Sequence, residues 1–156
     1  MKVIFMCTAN SCRSVLCEAM FNHIAPAGMQ AFSTGSQPKG QIHPMSLKSL
    51  EKAGISTQGL YSKGNEALAD LQPDFVITVC DNAAGEACPI YFGSAHKAHW
   101  GLADPSDCDE SEAQMVAAFD ATLVQIRRRL EAFIALPFAE LDREQLNAQM
   151  ARIGQL

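Results

Sequence analysis

Near the start of the chain, Cys7-Thr8-Ala9-Asn10-Ser11-Cys12-Arg13-Ser14 sets a nucleophile and a cation with five residues between them, and a hydroxyl directly after the cation. A loop of this length can curl so that its N–H groups converge on a tetrahedral oxyanion, while the planar guanidinium of Arg13 grips two of the oxygens. The same positive surroundings favour the thiolate of Cys7 at neutral pH, and Ser14 is placed to donate to it. Thr8, Ala9, Asn10, Ser11, Cys12, Arg13 and Ser14 are therefore the expected oxyanion-binding set. The competing reading, a buried Cys7 with a surface Arg13, gives the spacing no purpose.

Two further features bear on the reaction. Asp104-Pro105 puts a carboxylic acid on a turn, where it could protonate a departing oxygen, an effect worth about 10²–10⁴ in rate. A plain turn aspartate is the alternative, because Asp-Pro is also a turn signal. Cys80 and Cys88 frame a small, polar stretch with Gly85 inside it and Pro89 after it. Phosphate ester hydrolysis has no use for such thiols, whereas a reaction that leaves an oxidised product on Cys7 does. A zinc site built from Cys80, Cys88, His96 and His99 is disfavoured, since structural zinc prefers ligand pairs two to four residues apart. Cys12, Cys17 and Cys108, the rest of the six cysteines, have no step assigned to them.

These groups need a scaffold, and hydrophobic periodicity supplies one. Strands are expected over residues 2–6, 29–33, 75–79 and 95–100, and helices over 13–25, 45–53, 65–71, 110–135 and 141–153. Gly54 stands where a helix stop belongs. Residues 35–44 read as a long turn, and Arg127-Arg128-Arg129 as a solvated helix face. Alternation of strand and helix implies an α/β single domain with a central, mostly parallel four-stranded sheet and helices on both faces. Residues 1–136 would form the catalytic domain and 137–156 a C-terminal helical extension, packed on its own domain. Cys7 and Cys80 then both end strands on the same sheet edge, with Arg13 at a helix start, where parallel sheets bind anions.

Composition narrows the class. The chain has 156 residues, 48 % of them hydrophobic and 19 % charged, with a formal net charge of −5. That is too apolar for a disordered chain and too acidic for a broad nucleic-acid face. No run approaches the ~20 apolar residues of a membrane span. Val3-Ile4-Phe5-Met6 is too short for a signal-peptide core, so a cytoplasmic location, free thiols and a monomer are expected.

The loop Cys7 to Ser14, the strand end Ser33-Thr34-Gly35, the stretches Lys48–Ser56 and Ser62-Lys63, and the pair Asp104-Pro105 together resemble the low-molecular-weight protein tyrosine phosphatase family over about residues 2–135. The segment Cys80 to Pro89, with His99-Trp100-Gly101-Leu102-Ala103-Asp104-Pro105, is similar to the thioredoxin-coupled arsenate reductases built on that fold. The resemblance implies that Cys7 attacks arsenate held by the loop and Arg13, with Asp104 protonating the leaving hydroxide. Cys80 would then attack the Cys7 sulfur and expel arsenite, and Cys88 would move the disulfide to Cys80–Cys88, the 81–92 segment rearranging so that thioredoxin can reduce it. No tightly bound cofactor is implied. The alternative within the family is hydrolysis of phosphomonoesters through a phosphocysteine, although Ser106 stands where such phosphatases carry an aromatic residue. A redox-sensing module without catalysis is a third class, disfavoured by the complete loop and acid. Some members hold potassium near the loop with residues matching Asn10, Glu18 and Ser33. Lys63 replaces a carboxylate there, so no metal ion and no potassium dependence are expected.

Overall fold

Val3-Ile4-Phe5-Met6 has no polar side chain to offer water, and it forms the core of an inner strand. β1 (Lys2–Cys7) has β2 (Gln30–Gly35) on one side and β3 (Phe75–Thr78) on the other, and β4 (His96–His99) follows β3 at the edge. Every pairing is parallel: Cys7 lies opposite Gly35, Met6 opposite Thr78, and Thr78 opposite His99. This is a computed structural model describing residues 1–80, 92–107 and 111–156, so Cys88 and Cys108 lie outside the described residues.

A parallel sheet must be covered on both faces, and here the two covers are unequal. Alternate residues Val3, Phe5, Phe75 and Ile77 share one core with apolar residues of four α-helices: α1 (Arg13–Ile24), α2 (Pro44–Lys52), α3 (Glu112–Ile134) and α4 (Arg143–Ile153). The other face, Ile4, Met6 and Val76, meets Phe92 and Ala95, with Leu68 and Leu71 packed alongside. Leu68 closes a 3₁₀ turn, Asn65–Leu68, where a helix to Leu71 was expected. Gln72 adopts φ 54° just beyond it, so so short a helix has no room to propagate.

Local signals set most helix ends. Ser111 caps α3 by accepting from Gln114 N–H. Asp142 and Gln145 form a reciprocal capping box, which starts α4 at Arg143 rather than at the expected Leu141. Gly54 takes φ 76° after α2, the left-handed conformation that ends helices. Leu146, Met150 and Ile153 of α4 belong to the same core as Trp100 and Phe133. Among the described residues no helix is long and apolar enough to cross a membrane.

The arginine triplet divides. Arg127 is exposed and pairs with Glu131 at 2.8 Å, and Arg128 is exposed, but Arg129 is buried. Three successive helical residues span about 200° of the helix surface, so one of them must turn inward on a helix packed along one side. The solvated-face expectation is therefore corrected for Arg129.

Phe133 is fully buried and its ring meets those of Phe21, Phe75, Trp100 and Phe138 at centroid distances of 6.0, 5.1, 5.8 and 5.2 Å. Phe133→Ala is expected to cost about 3–5 kcal/mol in urea unfolding, with an unchanged m-value. A loss below 1 kcal/mol would mean that this cluster does not hold the helices to the sheet.

Candidate active site

The stretch between β1 and α1 is turned inside out by its neighbours. Ser36, Gln37, Lys39 and His43 donate their backbone N–H groups to the carbonyls of Cys7, Thr8, Ala9 and Ser11, at 3.3, 2.9, 3.0 and 3.1 Å. Ser62 Oγ donates to Ala9 O and Ser46 Oγ to Ser11 O. With its carbonyls drawn outward, the loop keeps its N–H groups for the concave side. Cys12, the N-cap of α1, accepts no capping bond, and the first turn carries no acidic residue. The unpaired first-turn donors and the positive helix end are thus open to an anion. Residues 36–43, within the stretch read from sequence as a turn, together with Ser46 of α2 are the mould of the loop.

Asn10 locks the inner side. It is completely buried at φ 49°, a left-handed conformation that asparagine tolerates. Its backbone N–H donates to Cys7 Sγ at 3.1 Å, its amide NH₂ donates to Ser14 Oγ at 2.9 Å and Ser33 Oγ at 3.0 Å, and its Oδ1 accepts from Lys63 N–H at 2.9 Å. Ser14 Oγ lies 2.8 Å from Cys7 Sγ. That hydroxyl accepts from the Asn10 amide and has one proton of its own, so either it or the Cys7 thiol can donate across this contact. Cys7 Sγ thus accepts from the Asn10 N–H and shares a hydrogen bond with the Ser14 hydroxyl.

Behind Asn10 lies a buried charge pair. Ser33 Oγ donates to Glu18 Oε1 at 2.5 Å, and Lys63 Nζ stands 3.6 Å from the same oxygen while donating to Tyr61 O at 3.2 Å. Burial pushes the Glu18 carboxyl above its ordinary value, against the opposing pull of Ser33 and Lys63. With the chain's own ammonium beside this carboxylate, these residues do not fit a bound potassium ion. Among the described residues no three His, Cys, Asp or Glu side chains gather as metal ligands.

Arg13 faces the opposite wall. Its Nη1 donates to Leu102 O at 3.1 Å and its Nη2 lies 3.5 Å from Asp104 Oδ2. Asp104 Oδ1 accepts from both the N–H and the hydroxyl of Ser106, at 2.9 and 2.6 Å. Ser106, read from sequence only as the absence of an aromatic residue, orients the carboxylate that Pro105 turns toward Arg13. A serine two residues after an aspartate is a familiar turn pairing, and that was the available signal.

Cys80 follows β3 and is buried. Val79 N–H donates to Met6 O at 2.9 Å, continuing the β1–β3 ladder, so Cys80 stands one residue beyond the position beside Cys7. Its Sγ lies 3.6 Å from Thr8 Oγ1. This edge is also where the strand order reverses, between β1 and β3, the crevice in which open α/β sheets bind ligands. Burial pushes the thiols of Cys12 and Cys17 up, which keeps both protonated. His43 caps α2 by accepting from Met45 N–H and packs on Phe119.

A model of the low molecular weight phosphotyrosine protein phosphatases matches residues 2–148. The chain belongs to that family. It is 28 % identical over 131 residues to an arsenate reductase of Shouchella clausii, covering 84 % of this chain and 93 % of that protein. An arsenate reductase 2 of Staphylococcus epidermidis is 33 % identical over 114 residues, with 73 % and 86 % covered. Among solved structures, an arsenate reductase in the phosphate binding state superposes with a TM-score of 0.70 at 29 % identity, over 86 % of this chain and 96 % of that one.

Two outcomes test this site. A Cβ on Gly35 would collide with Thr8 O and come within 2.9 Å of Asn10 N. Gly35→Ala should therefore weaken oxyanion binding at least tenfold in a phosphate titration while the protein stays folded. Unaltered binding would show that the loop is not held against β2. Initial rates in potassium and sodium salts of equal ionic strength should agree within about twofold, and strong stimulation by potassium would show that Lys63 does not serve as the cation.

Proposed function

We propose that the chain reduces arsenate to arsenite through Cys7, with Cys80 and Cys88 completing a thiol relay that thioredoxin resets. The observation that carries this reading is Cys80, a second thiol at the rim of the loop that holds Cys7, with its sulfur 3.6 Å from Thr8 Oγ1. A loop built only for phosphate ester hydrolysis would leave it without a task.

Arsenate enters against the loop N–H groups and the guanidinium of Arg13, and its charge competes with Asp104 for that guanidinium. Asp104, turned toward Arg13 and held by Ser106, is the acid placed beside the departing oxygen. The Cys7 thiolate attacks arsenic, an S–As bond forms, and the As–O bond breaks with its oxygen leaving as water on the Asp104 proton. The Cys80 thiolate then attacks the Cys7 sulfur. An S–S bond forms, and the S–As electron pair stays on arsenic, which departs as As(III) arsenite. The two electrons come from the two cysteines. Cys88 attacks Cys80, frees Cys7 and takes over the disulfide, and a dithiol protein such as thioredoxin returns two electrons. In the phosphatase reading water attacks the covalent intermediate instead and neither Cys80 nor Cys88 takes part.

The test follows NADPH oxidation with thioredoxin and its reductase, using arsenate and an aryl phosphate in parallel. Wild type should turn over arsenate steadily, Cys88→Ser should stop after one equivalent of arsenite, and Cys80→Ser should form none. Any aryl phosphate hydrolysis should persist in both variants. Steady arsenate turnover by Cys88→Ser would refute the relay.

A further inference from the structure

Past β4 the segment carrying Asp104 still donates from Trp100 N–H to Thr78 O and from Leu102 N–H to Val79 O, but among the described residues its carbonyls have no strand partner. Arg129 of α3 takes their place. Its Nη1 donates to Trp100 O at 3.0 Å and to Gly101 O at 3.1 Å, and its Nε donates to Leu156 O at 3.2 Å. The next carbonyl, Leu102 O, belongs to Arg13. Two arginines thus hold three successive carbonyls on the approach to Asp104, and one of the two is the oxyanion clamp itself.

The same segment is fixed from the α4 side. Trp100, the single tryptophan of the chain, donates its indole N–H to Met150 O at 2.9 Å. Gly154 packs so closely that a Cβ would come 3.0 Å from Trp100 Cδ1 and 3.1 Å from His99 O. Arg129 is 4 % exposed, and among the described residues no carboxylate side chain pairs with it. A buried cation held by main-chain oxygens rather than by a carboxylate side chain is an expensive way to fill a core, where an apolar side chain of like volume is often as stable. What the guanidinium adds is direction: several fixed donors aimed at chosen oxygens.

We propose that Arg129 is a positioning residue for proton donation: braced by Leu156 and α4, it fixes Trp100 and Gly101 and so sets the reach of Asp104 over the oxyanion loop. The proposal rests on the reading of Cys7, Arg13 and Asp104 given above. A guanidinium remains charged at any working pH, so the brace does not titrate. Small displacements of an acid from its leaving group are costly in rate, and the brace bears on the chemical step rather than on substrate capture.

A double-mutant cycle tests it. Wild type, Arg129→Met, Asp104→Asn and the double variant are compared in single-turnover arsenite formation without thioredoxin, and in parallel on an aryl phosphate. Arg129→Met should slow the chemical step about tenfold with half-saturating arsenate unchanged within about twofold, and Arg129→Lys should recover part of the loss. In the Asp104→Asn background the Arg129→Met change should have no effect beyond about twofold, and Trp100 fluorescence should report the altered segment in both backgrounds. Losses that multiply in the double variant would overturn the proposal, as would an Asp104→Asn rate equal to wild type. If wild type forms no arsenite, the arsenate reading fails, and the cycle on aryl phosphate still decides the role of Arg129. Should Arg129→Met not fold, Gly154→Val presses on Trp100 from α4 without removing a charge. It should show the same dependence on Asp104, and independence would refute the brace.

Discussion

An oxyanion loop works only if peptide dipoles that would rather scatter are made to point one way, and here that is achieved from outside and inside at once. Residues 36–46 and Ser62 draw the carbonyls outward. Asn10, in a left-handed conformation, brings its own N–H and the hydroxyl of Ser14 against Cys7. Everything else in the active region leans on that arrangement. β2 must end in a residue without a side chain to lie beside the loop, and the Ser33–Glu18–Lys63 chain must anchor the Asn10 amide. The side chains of Asn10, Ser14, Ser33, Glu18 and Lys63 are all partnered, the condition under which such a network specifies one geometry, whereas Thr34 Oγ1 beside them has no partner among the described residues.

Charge is local in this molecule. A net charge of −5 says nothing of the pocket, where Arg13, the helix end and the loop amides gather positive potential against one carboxylate, Asp104. Buried cations are handled in two ways. Lys63 stands against Glu18, whereas Arg129 is met by main-chain oxygens. The first arrangement gives the loop its shape from behind, and the second reaches the opposite wall.

Much of this could be read from the residues. The spacing from Cys7 to Ser14, the strand ending on Cys80, the turn at Asp104-Pro105 and the four strands all follow from local chemistry and period. Helix ends followed too where a glycine marked them, though the Asp142–Gln145 capping box places one start better than periodicity does. What could not be read depends on contacts between distant segments. That Gln37, Lys39 and His43 serve the loop involves backbone groups, which leave no trace in side-chain identity. The inward turn of Arg129 depends on which side of α3 faces the sheet, and a run of three arginines hides that choice. Asn10 was visible as a loop member, but its fourfold bonding required the places of Ser33 and Lys63 in space.

Surface loops ordinarily drift in length, because an extra residue at the tip disturbs nothing beneath it. Residues 36–43 break that rule, since four of their amides answer four specified carbonyls in order. One residue added or lost there would shift the donors out of phase with the oxygens and let the amide ring of the pocket relax. The length of this turn is therefore as much a part of the catalytic signature as the cysteine and arginine themselves, and a chain could keep every reactive side chain and still lose its pocket to a single insertion.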